Sequence, residues 1–184
     1  MDADRQRLLR DFDHYAARWP AEAIPLRFRN WLTREARPFH RETVAGHFTG
    51  SAWLVSADGE RVLLMLHRKL ERWLQPGGHA DGDADLAGVA LREAMEETGL
   101  TDLEVLPGIF DLDAHEIPPR KGEPAHWHYD VRYVVVARGD DSFVINEESL
   151  ALAWRPVADI AADASADASL RRMAAKWMAR SAVV

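Results

Sequence analysis

Three glutamates, Glu93, Glu96 and Glu97, occupy positions i, i+3 and i+4 of a segment whose apolar residues recur at helical spacing. At about 100° per residue they fall within an arc of about 100°, so three carboxylates share one helix face. Arg92 and Asp85 lie close to that arc, whereas Ala87, Ala90, Leu91, Ala94 and Met95 give the other side small and apolar groups suited to packing. Like charges at i, i+4 destabilise a helix by roughly a few tenths of a kcal/mol, and only Arg92 is nearby to offset three of them. A solvated acidic face is the bland outcome. A bound divalent cation would turn the repulsion into ligation, and carboxylate oxygens select small, hard cations.

The elements that must position these carboxylates follow from the flanking sequence. The helical pattern runs from about Asp85 to Thr98, and Gly99 ends it in the left-handed capping position. Pro76-Gly77-Gly78, just before it, is predicted to be irregular backbone, where a bare carbonyl approaches a metal without side-chain obstruction. Upstream, HFTGSAWLVS and ERVLLMLHR flank the turn dipeptide Asp58-Gly59, which predicts a hairpin with strands beginning near His47. Downstream, LEVLPGIFDLDAH and HWHYDVRYVVVA predict further strands, with the surface loop IPPRKGEPA between them. Strands, helix, then strands again imply a mixed sheet with helices packed on it rather than a series of parallel βαβ units.

Both ends read as helical. Leu8, Leu9, Phe12, Tyr15 and Trp19, then Ile24, Phe28, Trp31 and Leu32, predict two helices joined near Trp19-Pro20. DIAADASADAS is small, acidic and of low complexity, which predicts a connection with partial order. After it, Leu170, Met173, Ala174, Trp177 and Met178 form one apolar stripe, with Arg171, Arg172, Lys176 and Arg180 opposite. Packing on the body or at a homodimer interface is the expected use of that stripe. The resulting division is a helical N-terminal extension, 1–40, packed on a core domain, 41–184, that ends in the last helix.

Bulk composition narrows the chemistry. The 184 residues are 47% hydrophobic, include seven tryptophans and suit one globular domain. There are no cysteines, so disulfides, thiolate zinc sites and thiol nucleophiles are excluded. A formal net charge of -7 argues against a nucleic-acid duplex as the main partner. It also means that an anionic small substrate needs a cation between itself and the protein. The sequence lacks an apolar run of membrane-spanning length, and the charged start MDADRQRLLRDF lacks a secretory core, so no membrane partner and a cytoplasmic location are expected.

The segment GGHADGDADLAGVALREAMEETGL resembles the Nudix box, G-x5-E-x7-R-E-U-x-E-E-x-G-U with U aliphatic, starting at Gly78 and ending at Leu100. Arg92, Glu93, Glu96, Glu97, Gly99 and Leu100 fall in register, with Ala94 at the first U position, while Ala84 stands where the box has its first glutamate. The resemblance extends to LLMLHRKLERWLQPGGH and HWHYDVRYVV and covers roughly residues 45 to 160. It implies a Nudix-type α/β/α sandwich with a mixed curved sheet, plus N- and C-terminal helices outside the common core. It also implies hydrolysis of a phosphoanhydride bond in a small phosphorylated substrate, a nucleoside diphosphate linked to another moiety or a similar diphosphate. Mg²⁺ or Mn²⁺ would sit on Glu96, Glu97 and the carbonyl of Gly77, with Glu93 as ligand or general base and Arg92 orienting Glu93 by a charge-assisted hydrogen bond. A further carboxylate from a loop before the last core strand is common in the family, and of Glu147 and Glu148 the second is the better placed as a metal ligand.

Weaker signals surround this core. On HWHYDVRY the period of two puts His126, His128, Asp130 and Arg132 on one face and Trp127, Tyr129, Val131 and Tyr133 on the other. The polar row is expected to line a substrate cleft, with His79 contributing; two histidines at i and i+2 also suit a metal ion. His115, Arg120 and Lys121 are further candidates for phosphate or base contact, with solvated surface the plain reading of the last two. Two other functions compete: a non-catalytic Nudix-fold module that binds a nucleotide-like metabolite, favoured by Ala84, and diphosphate isomerisation through a cysteine, which this chain lacks.

Overall fold

One mixed sheet holds the strands β1 (Gly46–Val55), β2 (Arg61–His67), β3 (Arg72–Leu74), β4 (Gly77–His79), β5 (Leu103–Val105), β6 (Asp111–Ile117), β7 (His126–Ala137) and β8 (Ser149–Pro156). Their order is β3-β2-β1-β7-β5, with β4 paired to β1, β6 to β7 and β8 to β2. The helices are α1 (Ala3–Arg18), α2 (Ile24–Arg34), α3 (Leu86–Thr98), α4 (Val157–Ala162) and α5 (Ala168–Ser181). The computed structural model describes residues 2–120, 122–145 and 149–181. The class is α/β, as the alternation of strand and helix patterns predicts. No helix among the described residues is long and apolar enough to cross a membrane.

The chain packs as two compact units. The first takes the described residues of Met1–Ser51, Gly77–Ala90 and Pro107–Tyr133. Here the Asp2 carboxylate caps α1 by accepting the Arg5 N–H at 2.9 Å, and the helix ends at Trp19, beside Pro20, as its sequence predicts. α1 buries Leu8, Phe12 and Tyr15, and α2, with Pro25 in its first turn, buries Phe28 and Leu32. Phe12 meets Phe28 edge-on at 5.6 Å, and Phe28 meets Tyr129 of β7 the same way at 5.5 Å. Trp31 stacks on Tyr129 at 4.7 Å, and the Arg27 guanidinium lies 3.8 Å from the Trp127 ring centre. Trp127 and Tyr129, of the apolar face of HWHYDVRY, therefore lie against α2, at about 0.5 to 1.5 kcal/mol per aromatic pair beyond area burial.

One expectation fails in this unit. Gly77-Gly78, predicted to be irregular, begins β4 and pairs antiparallel with β1, Gly77 opposite Ser51 and Gly78 opposite Gly50. Glycine is required for closeness rather than for a turn: a Cβ on Gly77 would stand 2.2 Å from Ser51 Oγ. The predicted strand segment LEVLPGIFDLDAH is divided, with β5 and β6 separated by Leu106–Phe110. Pro107 has no N–H to give a ladder there, and Gly108 takes a positive φ of 86°.

The second unit takes the described residues of Ala52–Pro76, Leu91–Leu106 and Val134–Val184. The predicted hairpin is present, with β1 and β2 antiparallel, Val55 opposite Val62 and Gly59 at φ 73°. β8 pairs along β2 from Arg61↔Pro156 to His67↔Ser149, with a bulge at Leu66/His67. Trp53, Leu54, Leu63 and Met65 are fully buried. Within the low-complexity connection, residues up to Ala162 belong to α4, which buries Val157 and Ile160. One further expectation is corrected. On α5, Leu170, Met173 and Ala174 are buried as predicted, but Met178 is exposed and Lys176, placed on the polar side, is only 6% exposed. α5 docks on the hairpin turn, where Trp177 Nε1 donates to the Gly59 carbonyl at 2.7 Å.

Candidate functional site

α3 carries the acidic face. Its first turn lies against β1, where a Cβ on Gly50 would stand 2.7 Å from the Leu86 carbonyl. Leu86, Val89, Ala90 and Ala94 are buried, so small residues let helix and strand approach closely. At the far end Thr98 Oγ1 donates to the Ala94 carbonyl at 2.5 Å, and Gly99 closes the helix at φ 74° with its N–H on the Met95 carbonyl at 2.8 Å.

The three carboxylates are not equivalent. Glu96 is exposed, Glu93 is half-buried and Glu97 is only 6% exposed. Arg92 Nη2 lies 3.7 Å from Glu93 Oε1, an ion pair longer than the expected hydrogen bond. Hard oxygen donors on one face, one of them withdrawn from water, suit a divalent cation of the Mg²⁺ or Mn²⁺ kind. Gly77 is held in β4 by its pairing with Ser51. Glu147, Glu148 and Lys121 lie outside the described residues.

Ala84 is not helical. It stands ahead of α3, and the Asp85 carbonyl accepts the Val89 N–H at 2.9 Å while Asp83 Oδ1 accepts the Asp85 N–H at 2.9 Å. Ala84 lines a cavity of about 290 Å³ together with Arg7, Asp11 and Tyr133.

The polar face of β7 divides into two clusters. Arg132, expected to meet substrate, is 3% exposed, and its guanidinium is held by Asp130 at 2.7 Å, Asp111 at 3.2 Å and Asp113 at 3.4 Å. Asp130 Oδ1 also accepts the hydroxyls of Thr49 at 2.9 Å and Ser51 at 2.7 Å. Burial opposes the Arg132 charge, but the three aspartates outweigh it and hold its pKa above the ordinary value. This guanidinium is committed to three carboxylates in the interior rather than presented to solvent.

The second cluster is made of histidines. His126 Nε2 lies 3.3 Å from His128 Nε2, and His115, opposite His128 in the β6–β7 register, has its ring 5.5 Å from that of His128. The His47 ring lies 5.0 Å from His79, 5.1 Å from His126 and 4.9 Å from His128. Burial, then the neighbouring histidines, push His128 down to about 2 and His47 down to about 4, with Arg41 adding to the effect at His47. Burial likewise lowers His79. His47 and His128 are therefore neutral imidazoles near neutral pH, with lone pairs available. Sequence periodicity places His126 and His128 side by side but gives no sign of His47, which arrives from β1 about eighty residues earlier.

The family model of the NUDIX domain matches residues 47–177. A Xenopus laevis protein, the m7GpppN-mRNA hydrolase NUDT17, is 35% identical over 94 residues, which cover 47% of this chain and 31% of that protein. The match thus spans under a third of the relative's length. A C. elegans Ap4A hydrolase, solved as a binary complex, superposes with a TM-score of 0.59 at 19% identity over 74% of this chain and 98% of its own. The MutT protein from Methanosarcina mazei Go1 gives a TM-score of 0.56 at 20% identity over 76% and 97% of the two chains. At such identities the two superpositions establish the fold.

Proposed function

The chain belongs to the NUDIX domain family, and from that premise we propose that it is a divalent-cation-dependent hydrolase. Its substrate is a phosphoanhydride in a nucleoside diphosphate linked to another moiety, or a similar small diphosphate. The observation that carries the proposal is Arg92-Glu93 followed by Glu96-Glu97 in family register on one face of α3, with Glu97 nearly withdrawn from solvent. The relative named for mRNA-cap hydrolysis and the neighbour named for Ap4A hydrolysis support a nucleoside-linked anhydride as the substrate class.

Glu96 and Glu97 hold Mg²⁺ or Mn²⁺, and Glu93 serves as a further ligand or as the base. When bound, the cation neutralises and positions the diphosphate and lowers the pKa of a water molecule. Glu93, on the same face, would accept the proton of the attacking water, and Arg92, 3.7 Å away, would orient that carboxylate. Attack at phosphorus then breaks the anhydride, and a phosphate or phosphate ester leaves.

The test is phosphate release from a panel of ADP-ribose, dinucleoside polyphosphates, a cap dinucleotide and nucleoside triphosphates with Mg²⁺, coupled to a phosphatase where a monoester leaves. Glu97→Gln serves as the control. Turnover on at least one compound, absent in the control, is expected. Ala84 favours a second reading, a metabolite-binding module. That reading replaces the first if every compound survives intact while one of them binds.

A further inference from the structure

We propose that His47, His126 and His128 form a transition-metal site, best matched to Zn²⁺, that is chemically separate from the oxygen ligands of α3. One potential ligand atom from each of the three lies within 4.8 Å of the others. His126 Nε2 and His128 Nε2 are 3.3 Å apart. Two imidazole nitrogens bound to one tetrahedral Zn²⁺ at about 2.0–2.1 Å stand about 3.3–3.4 Å apart, so this pair already has the spacing of two ligands.

Two further observations point to a ligand. His126 Nδ1 is 3.0 Å from the Pro124 carbonyl, which only accepts, so in the neutral tautomer that fits this contact Nδ1 donates and Nε2 faces the cluster with its lone pair. A ligating histidine whose other nitrogen donates to a backbone carbonyl is the usual outer arrangement of a zinc site. His47 is 2% exposed, and apart from a backbone contact with Thr43 its ring nitrogens have no hydrogen-bond partner of acceptable geometry. Leaving a buried imidazole nitrogen without a partner is costly, a penalty that ligation through that nitrogen would offset in part.

The backbone fixes the three histidines before any ion arrives. Trp127 N, between the two β7 histidines, donates to the Ala45 carbonyl at 3.2 Å. A Cβ on Gly46 would stand 2.4 Å from the Trp127 carbonyl, so the start of β1 is pressed against β7 at the residue next to His47. Three imidazoles leave a fourth position for water or an added ligand, and the His79 ring lies 5.0 Å from His47 and 5.1 Å from His128. Imidazole nitrogen favours Zn²⁺, Cu²⁺ or Ni²⁺ over Mg²⁺, which separates this site from the glutamates by ligand type. His126 and His128 are then metal ligands rather than the substrate contacts their polar row suggests.

The test uses untagged full-length protein, stripped with a chelator, dialysed and titrated with Zn²⁺ by calorimetry in excess Mg²⁺, which occupies oxygen sites. One equivalent is expected to bind. His126→Gln and His128→Gln should each weaken it by more than about a hundredfold, since loss of an outer-shell partner alone costs tenfold to a hundredfold. Co²⁺ in place of Zn²⁺ should give the intense visible bands of a tetrahedral site. Because a variant could fail to fold, diethyl pyrocarbonate labelling of the unaltered protein is the second measurement, with His126 and His128 protected only when Zn²⁺ is present. Three results would each overturn the proposal in favour of a hydrogen-bonded histidine cluster: no Zn²⁺ bound by the unaltered chain, unchanged binding in both folded variants, or labelling that ignores Zn²⁺. None of these readouts depends on hydrolysis, so the fate of this site and that of the proposed activity are decided separately.

Discussion

The acidic face of α3 and the histidine cluster of β1 and β7 are both concentrations of metal-ligating atoms, yet they are assembled in different ways. The glutamates lie within five consecutive residues and share a face because 3.6 residues complete a helical turn. They are oxygen donors, graded from exposed Glu96 to buried Glu97. The histidines come from strands about eighty residues apart and meet because β7 lies beside β1 in the sheet. They are nitrogen donors, and burial keeps His47 and His128 neutral. One set is a group of carboxylates that suits a hard cation; the other includes two neutral imidazoles and suits a softer metal. Local periodicity is enough to build an anionic site, whereas a neutral multi-strand site requires a finished sheet.

The sharpest way to break this contrast is to neutralise the oxygen site. Glu96→Gln together with Glu97→Gln should abolish Mg²⁺-dependent hydrolysis while circular dichroism stays unchanged, with a melting temperature no lower than the parent without metal, because like-charge repulsion is relieved. Undiminished turnover in that folded double variant would remove the glutamates from the mechanism.

Next in size is the structural half of the β7 polar face. Arg132→Met leaves Asp130, Asp111 and Asp113 without their shared cation, and breaking a buried pair in this way typically costs about 3–5 kcal/mol. Urea denaturation should show the loss as a lower midpoint. A variant as stable as the parent would mean that the network is not what holds β6, β7 and β1 together there.

Within α3, Glu93→Gln should lower turnover by more than about a hundredfold, or about 2.7 kcal/mol of barrier, with the cation still bound. Single-turnover kinetics beside a Mn²⁺ binding measurement would separate a lost base from a lost ligand. The smallest change is expected from Ala84→Glu. A glutamate there enters a cavity that already contains Arg7, so it finds a cation. Turnover should shift by less than about tenfold, within 1.4 kcal/mol. If instead an inert parent became active with this one change, the metabolite-binding reading would take over.

Much of the fold is legible in the sequence. The α1–α2 break at Trp19-Pro20, the Asp58-Gly59 hairpin, the extent of α3 and its Gly99 cap, and the two faces of HWHYDVRY all follow from local spacing and turn chemistry. The shared face of Glu93, Glu96 and Glu97 also follows from helical spacing, whereas their identity as box residues, with Arg92, comes from the family resemblance. The failures share a different cause. Gly77-Gly78 has the local signature of a turn, but Ser51 and Gly50 of β1 make it a strand. Lys176 belongs to the polar side by periodicity and is buried by what packs on α5. Arg132 has the residue type of a phosphate contact, and only the pairing of β6 with β7 and the nearness of Thr49 and Ser51 commit its neighbourhood to an interior ion network. His47 has no local signal at all. By itself the sequence determined what a helix or a single strand does with its own side chains, because those periodicities act over a few residues. The tertiary structure decided which strands are neighbours, and with that which aspartates hold Arg132 and which histidines surround His47, because strand partners are selected by contacts across the whole chain.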